Sequence, residues 1–157
     1  MARPGAPILV QRELLLSDQQ PDIEQLELLV AFQRQGRRVL LVAEQPVGWR
    51  PTRKAVDHDL ALQQQLHQLM RRAGAQLDGV VYLATGLFAR KRNRVTELEQ
   101  LARRYATTAG ELIVIARDAI LLETMVLSGG RALAVGDIRV SGATSYPGLR
   151  QALDVLS

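Results

Sequence analysis

A three-layer α/β sandwich with a Rossmann-like central parallel sheet and no large cap domain is the fold this sequence predicts. Short apolar runs alternate with longer stretches of helical periodicity along the whole chain, the order expected of βαβ units. The runs are apolar at consecutive positions, as in Ile8-Leu9-Val10 and Val39-Leu40-Leu41-Val42. Strands of that kind are covered on both faces, which calls for a parallel sheet with right-handed crossovers. At 157 residues the chain is sized for one domain spanning 1–157.

The first run, Ile8-Leu9-Val10, reads as the central strand, and 17–21 as a polar loop after it. Asp22 is placed to cap a helix over about 22–35, closed by Gly36 where a left-handed conformation is needed. Residues 39–43 form the second strand and 44–51 a loop rich in Pro and Gly. A long helix follows over 52–73, with Val56, Leu60, Leu62, Leu66, Leu69, Met70 and Ala73 on one broad face. The third strand is 79–83. A helix carrying Val95, Leu98, Leu101, Ala102 and Tyr105 comes next, capped by Asn93 or Thr96. Residues 112–116 are the fourth strand, and Asp118 caps a short helix stopped by Gly129-Gly130. Two short late strands are expected at 132–135 and 138–140, with Ser145 opening a final helix through Leu149, Ala152, Leu153 and Leu156.

Composition excludes several function classes. The chain has no cysteine, which removes disulfides, thiolate catalysis and cysteine-held metal. No apolar stretch approaches the roughly 18 residues that would cross a bilayer, and Met-Ala-Arg-Pro-Gly lacks an apolar region followed by a cleavage site, so secretion is not expected. A cytoplasmic protein is therefore expected. The net charge of +4 invites a nucleic-acid reading, yet the arginines are dispersed along the sequence. Only Arg90-Lys91-Arg92-Asn93-Arg94 is dense, and aromatics are too few for a stacking platform. Solvated helix ends and loops are the expectation for these charges. Asp57-His58-Asp59 with His67 lacks the spacing that would put ligands on one helical face, so a solvated face is expected there. Ser17 and Ser145 have no neighbouring His or acid for nucleophilic chemistry.

In open α/β sheets a ligand lies beyond the carboxyl ends of the strands. The triplet Gln11-Arg12-Glu13 stands at that end of the first strand. The segment Leu77-Asp78-Gly79-Val80-Val81-Tyr82, the stretch Val42-Ala43-Glu44-Gln45 and the pair Arg90-Lys91 fall in the order and frame of a known set of motifs. On these residues the chain resembles the haloacid dehalogenase-like hydrolases, and within them the small phosphatases that act on heptose bisphosphate and histidinol phosphate.

The resemblance implies a magnesium-dependent phosphatase whose first motif is Asp-x-Asp-Gly. Here those positions hold Gln11 and Glu13, with Leu14 in place of the glycine. A carboxamide has no anionic oxygen to attack phosphorus, and it removes a negative ligand from a magnesium site. The hydroxyl of the second motif is replaced by Ala43. The lysine of the third survives as Lys91, and the metal acid of the fourth is replaced by Arg117. No cysteine and too short a stretch at 86–89 exclude the zinc loop of the heptose phosphatases.

The leading expectation is a catalytically inactive homologue acting as a binding or scaffold protein, with another protein or a second copy of the chain as partner. No cofactor is expected. Arg117 is expected to fill the vacated metal position and pair with Glu13 as a closed ion pair. The competing use of the same residues is an anion pocket, in which Arg12, Arg90, Lys91 and Arg117 hold a small phosphorylated ligand. The alternative function is residual phosphatase activity through Glu13 and Asp118 around a displaced magnesium. Trp49, in the loop Pro46-Val47-Gly48-Trp49-Arg50-Pro51, reads as either a partner contact or a lid over the cleft.

Overall fold

The computed structural model describes residues 6–44, 53–75, 79–83 and 91–156. The first strand, β1 (Ile8–Gln11), runs into a 3-10 turn, Arg12–Leu15, and then into two two-residue strands, β2 (Leu16–Ser17) and β3 (Gln20–Pro21). After α1 (Ile23–Gln33) come β4 (Val39–Glu44), α2 (Arg53–Arg72), β5 (Gly79–Leu83) and α3 (Lys91–Arg104). The chain continues through β6 (Ile113–Ala116), α4 (Ala119–Leu127), β7 (Arg131–Val135), β8 (Thr144–Tyr146) and α5 (Leu149–Leu156).

Six strands form one sheet in the order β5-β4-β1-β6-β7-β8. Every pairing in it is parallel, with Gln11 opposite Val42 and Val10 opposite Ile115. The expected α/β sandwich is the observed one. One side of the sheet packs Val10, Leu41 and Ile115 against α1, α2 and α5, through Leu29, Leu66 and Leu153. The other packs Leu9, Leu40 and Val114 against α3 and α4, through Leu98 and Met125. Alternation of inward side chains along each strand feeds both layers, which is why the runs carry no polar residue. No helix among the described residues is long and apolar enough to cross a membrane.

Local signals account for most boundaries. Asp22 accepts hydrogen bonds from the backbone of Glu24 and Gln25 and so caps α1. Gly36, at φ 85°, turns the chain out of that helix.

Three expectations need correction. Residues 17–21 are not a plain loop: Asp18 and Gln19 both have positive φ, the geometry that closes a two-residue hairpin between β2 and β3. No strand forms over 138–140; the edge strand is β8, and Ser145 lies inside it, paired with Ala134. Pro147 explains the shift, because the residue before a proline is held extended, so Tyr146 ends a strand and the helix starts three residues later, at Leu149. Lastly, α3 begins at Lys91, ahead of both proposed caps.

Candidate functional site

The carboxyl ends of β1, β4 and β6 lie side by side at the middle of the sheet. Gln11 is the last residue of β1 and only 6% exposed. Its side-chain Oε1 accepts a hydrogen bond from the backbone N–H of Arg117 at 2.8 Å. The carboxamide therefore ties the end of β1 to the residue that follows β6.

Arg117 and Glu13 meet across the same opening. Nη2 of Arg117 stands 3.6 Å from Oε2 of Glu13, and both side chains are 53% exposed. The expected pair is present, but it is open to solvent rather than closed. A pair so wetted adds at most a fraction of a kcal/mol to stability, although it still places a positive charge beside the carboxylate.

Arg12 departs from its expected place in an anion pocket. The 3-10 turn carries its side chain toward α2, where Nη2 lies 2.5 Å from Oδ1 of Asp59. Nη1 donates to Oε1 of Gln63 at 3.2 Å. Asp59 is accordingly not a solvated residue. The inward face of α2 reads Asp59, Gln63, Leu66, Met70, while Leu60 is 52% exposed. The spacing of Asp59 and Gln63, one helical turn apart, was the available signal; a search for apolar periodicity passes over it. His58 is exposed and His67 half-buried.

Asp118 caps α4: its Oδ1 accepts from the backbone of Ile120 at 3.1 Å. Ala43 is buried on β4, opposite Tyr82 of β5. Lys91 opens α3; its side chain, Arg90, Trp49 and the segment 86–89 lie outside the described residues. Of the proposed site residues, the structure thus brings Gln11, Glu13 and Arg117 together and turns Arg12 away.

Magnesium requires an oxygen shell of near-octahedral geometry built on carboxylates. Among the described residues this opening offers a carboxamide oxygen already engaged by a backbone amide, the Glu13 carboxylate facing a guanidinium, and the Asp118 carboxylate spent on capping α4. These residues do not fit the ion. Among the described residues, no three His, Asp or Glu side chains are grouped as a metal site.

No protein-family model matches the sequence, and no curated protein matches it by sequence. The D,D-heptose 1,7-bisphosphate phosphatase of B. bronchiseptica, crystallised with magnesium and phosphate, superposes with a TM-score of 0.76 at 15% identity, over 96% of this chain and 97% of that one. The corresponding enzyme of Burkholderia thailandensis gives 0.67 at 15% identity, over 97% and 99%. A putative haloacid dehalogenase-like phosphatase of Mesorhizobium loti gives 0.66 at 16% identity, over 96% and 83%. The first two overlap with this chain almost completely in both directions, and the described residues form the sheet and its covering helices with no large cap domain. The chain has the fold of the haloacid dehalogenase-like phosphatases, the group named from its motifs.

Proposed function

We propose that this chain is a catalytically inactive relative of those phosphatases that works as a binding or scaffold protein. The observation that carries the reading is the use made of Gln11. Its carbonyl oxygen, where an attacking carboxylate would stand, is spent on the backbone N–H of Arg117. Phosphoryl transfer through an enzyme-bound acyl phosphate needs an anionic oxygen free to attack, and a carboxamide lacks one. Arg117 then supplies, beside Glu13, the positive charge that a metal would otherwise bring. Such a substitution retains the electrostatics of the cleft edge while removing its chemistry. The alternative, hydrolysis by Glu13 and Asp118 around a displaced magnesium, would require Glu13 to leave Arg117 and Asp118 to release the N-terminus of α4.

The full-length protein, incubated with magnesium and either p-nitrophenyl phosphate or sugar phosphates, is expected to release phosphate at the rate of the protein-free control. Turnover that disappears on Lys91→Ala would overturn the reading, because that lysine belongs to the family's phosphate-binding motif and contaminating phosphatases would not respond to it.

A further inference from the structure

Dispersed in the sequence, the arginines are gathered by the fold onto the edge of the sheet opposite the candidate site. In a parallel α/β layer the helix C-termini and the strand N-termini share one edge. Here α2 ends in Arg71-Arg72 and α3 in Arg103-Arg104, while Arg37 and Arg38 lead into β4. Contacts tie the segment 34–38 to the ends of α2, α5 and α3. Arg34 donates to the backbone carbonyl of Ala73 just past α2, and Arg37 to that of Leu156 at the end of α5. The guanidinium of Arg38 lies 5.1 Å from the ring centroid of Tyr105 just past α3. Arg71, Arg72, Arg103 and Arg104 are all exposed. Acids near this edge, among the described residues, are Glu111, which accepts from Thr107, Asp154 on α5, and Glu99 one turn back along α3.

Complementing helix dipoles does not account for this. A macrodipole attracts cations only weakly, and its effect fades within the last turn. Arginines adjacent in sequence, as in Arg37-Arg38, Arg71-Arg72 and Arg103-Arg104, repel one another within each pair unless an anion is present. We infer that the N-terminal edge of the sheet binds the phosphate backbone of a nucleic-acid duplex, without reading its sequence. Three features favour this partner. The face is built from arginine, whose planar fork matches phosphate oxygens. Phe32 and Tyr105, the aromatics here, lie beneath Arg37 and Arg38, so they make no stacking platform for single-stranded bases. Among the described residues the large exposed apolar side chains toward this edge are Leu127 and Val155, too few to insert into a membrane. The inference is independent of the proposed function, since no residue of the cleft takes part.

Fluorescence anisotropy of a labelled duplex of about 20 base pairs, as DNA and as RNA, titrated with the full chain, tests it. Binding is expected at about 50 mM salt and should weaken by at least tenfold at about 200 mM. Replacing Arg71, Arg72, Arg103 and Arg104 together by Gln should weaken binding by about tenfold or more and flatten the salt dependence by roughly 2–4 units of slope. A control with Arg53, Lys54, Arg139 and Arg150 replaced by Gln removes equal charge elsewhere and should bind within about threefold of the parent. Absence of binding at low salt, or equal losses in both variants, would overturn the proposal. So would polyglutamate competing as well as duplex, or capture by phosphatidylserine vesicles without duplex binding.

Discussion

Replacing Asp59 by alanine is expected to lower the unfolding free energy by about 3 kcal/mol, measured by urea or guanidinium titration. Its carboxylate lies 2.5 Å from the guanidinium of Arg12, and the two side chains are 16% and 11% exposed. Little solvent reaches the pair, so Arg12 cannot exchange this carboxylate for water without leaving its place at the end of β1. Replacing Arg12 by Leu and Asp59 by Leu together should cost less than the two single changes added, with a coupling of at least about 1 kcal/mol. Additive losses would mean that the pair contributes nothing as a pair. The contact also fixes geometry, since it docks the 3-10 turn that carries Glu13 against α2.

A second loss of stability is expected at Gln11. Gln11→Asp, the change that would supply the carboxylate the proposed function holds to be missing, should destabilise the fold by about 2 kcal/mol. The shorter side chain cannot bring its oxygen to the Arg117 N–H, now 2.8 Å from Oε1, and it adds charge at a buried position. Gln11→Glu keeps the reach and should cost clearly less. If Asp and Glu prove equally tolerated, the carboxamide is not a tie between β1 and β6. The contrast bears on the proposed function, under which the position of an attacking carboxylate has been taken over by structure.

The central strands were legible in the sequence because they are covered on both faces and so are apolar without interruption. The caps at Asp22 and Asp118 were legible because a side-chain oxygen before an apolar periodic stretch has few other uses. Legibility failed where the determinants are polar or long-range. The hairpin at Asp18-Gln19 depends on two residues in left-handed conformation without a glycine to announce it. The edge strand at Thr144–Tyr146 is only three residues long, too short for periodicity to mark. At the site, the meeting of Glu13 with Arg117 followed from the frame of the motifs. The burial of Arg12 did not, because its partners Asp59 and Gln63 lie 47 and 51 residues away on a helix face that is half polar.

Fluorine NMR of the protein with magnesium and beryllium fluoride tests the central claim most directly, because trifluoroberyllate mimics a phosphoryl group only where a free carboxylate oxygen stands beside a divalent ion. The spectrum is expected to contain free fluoroberyllate species alone, unchanged by protein. A magnesium-dependent bound resonance would contradict the account, since it would place both an attacking carboxylate and a metal where Gln11 and Arg117 are held to exclude them.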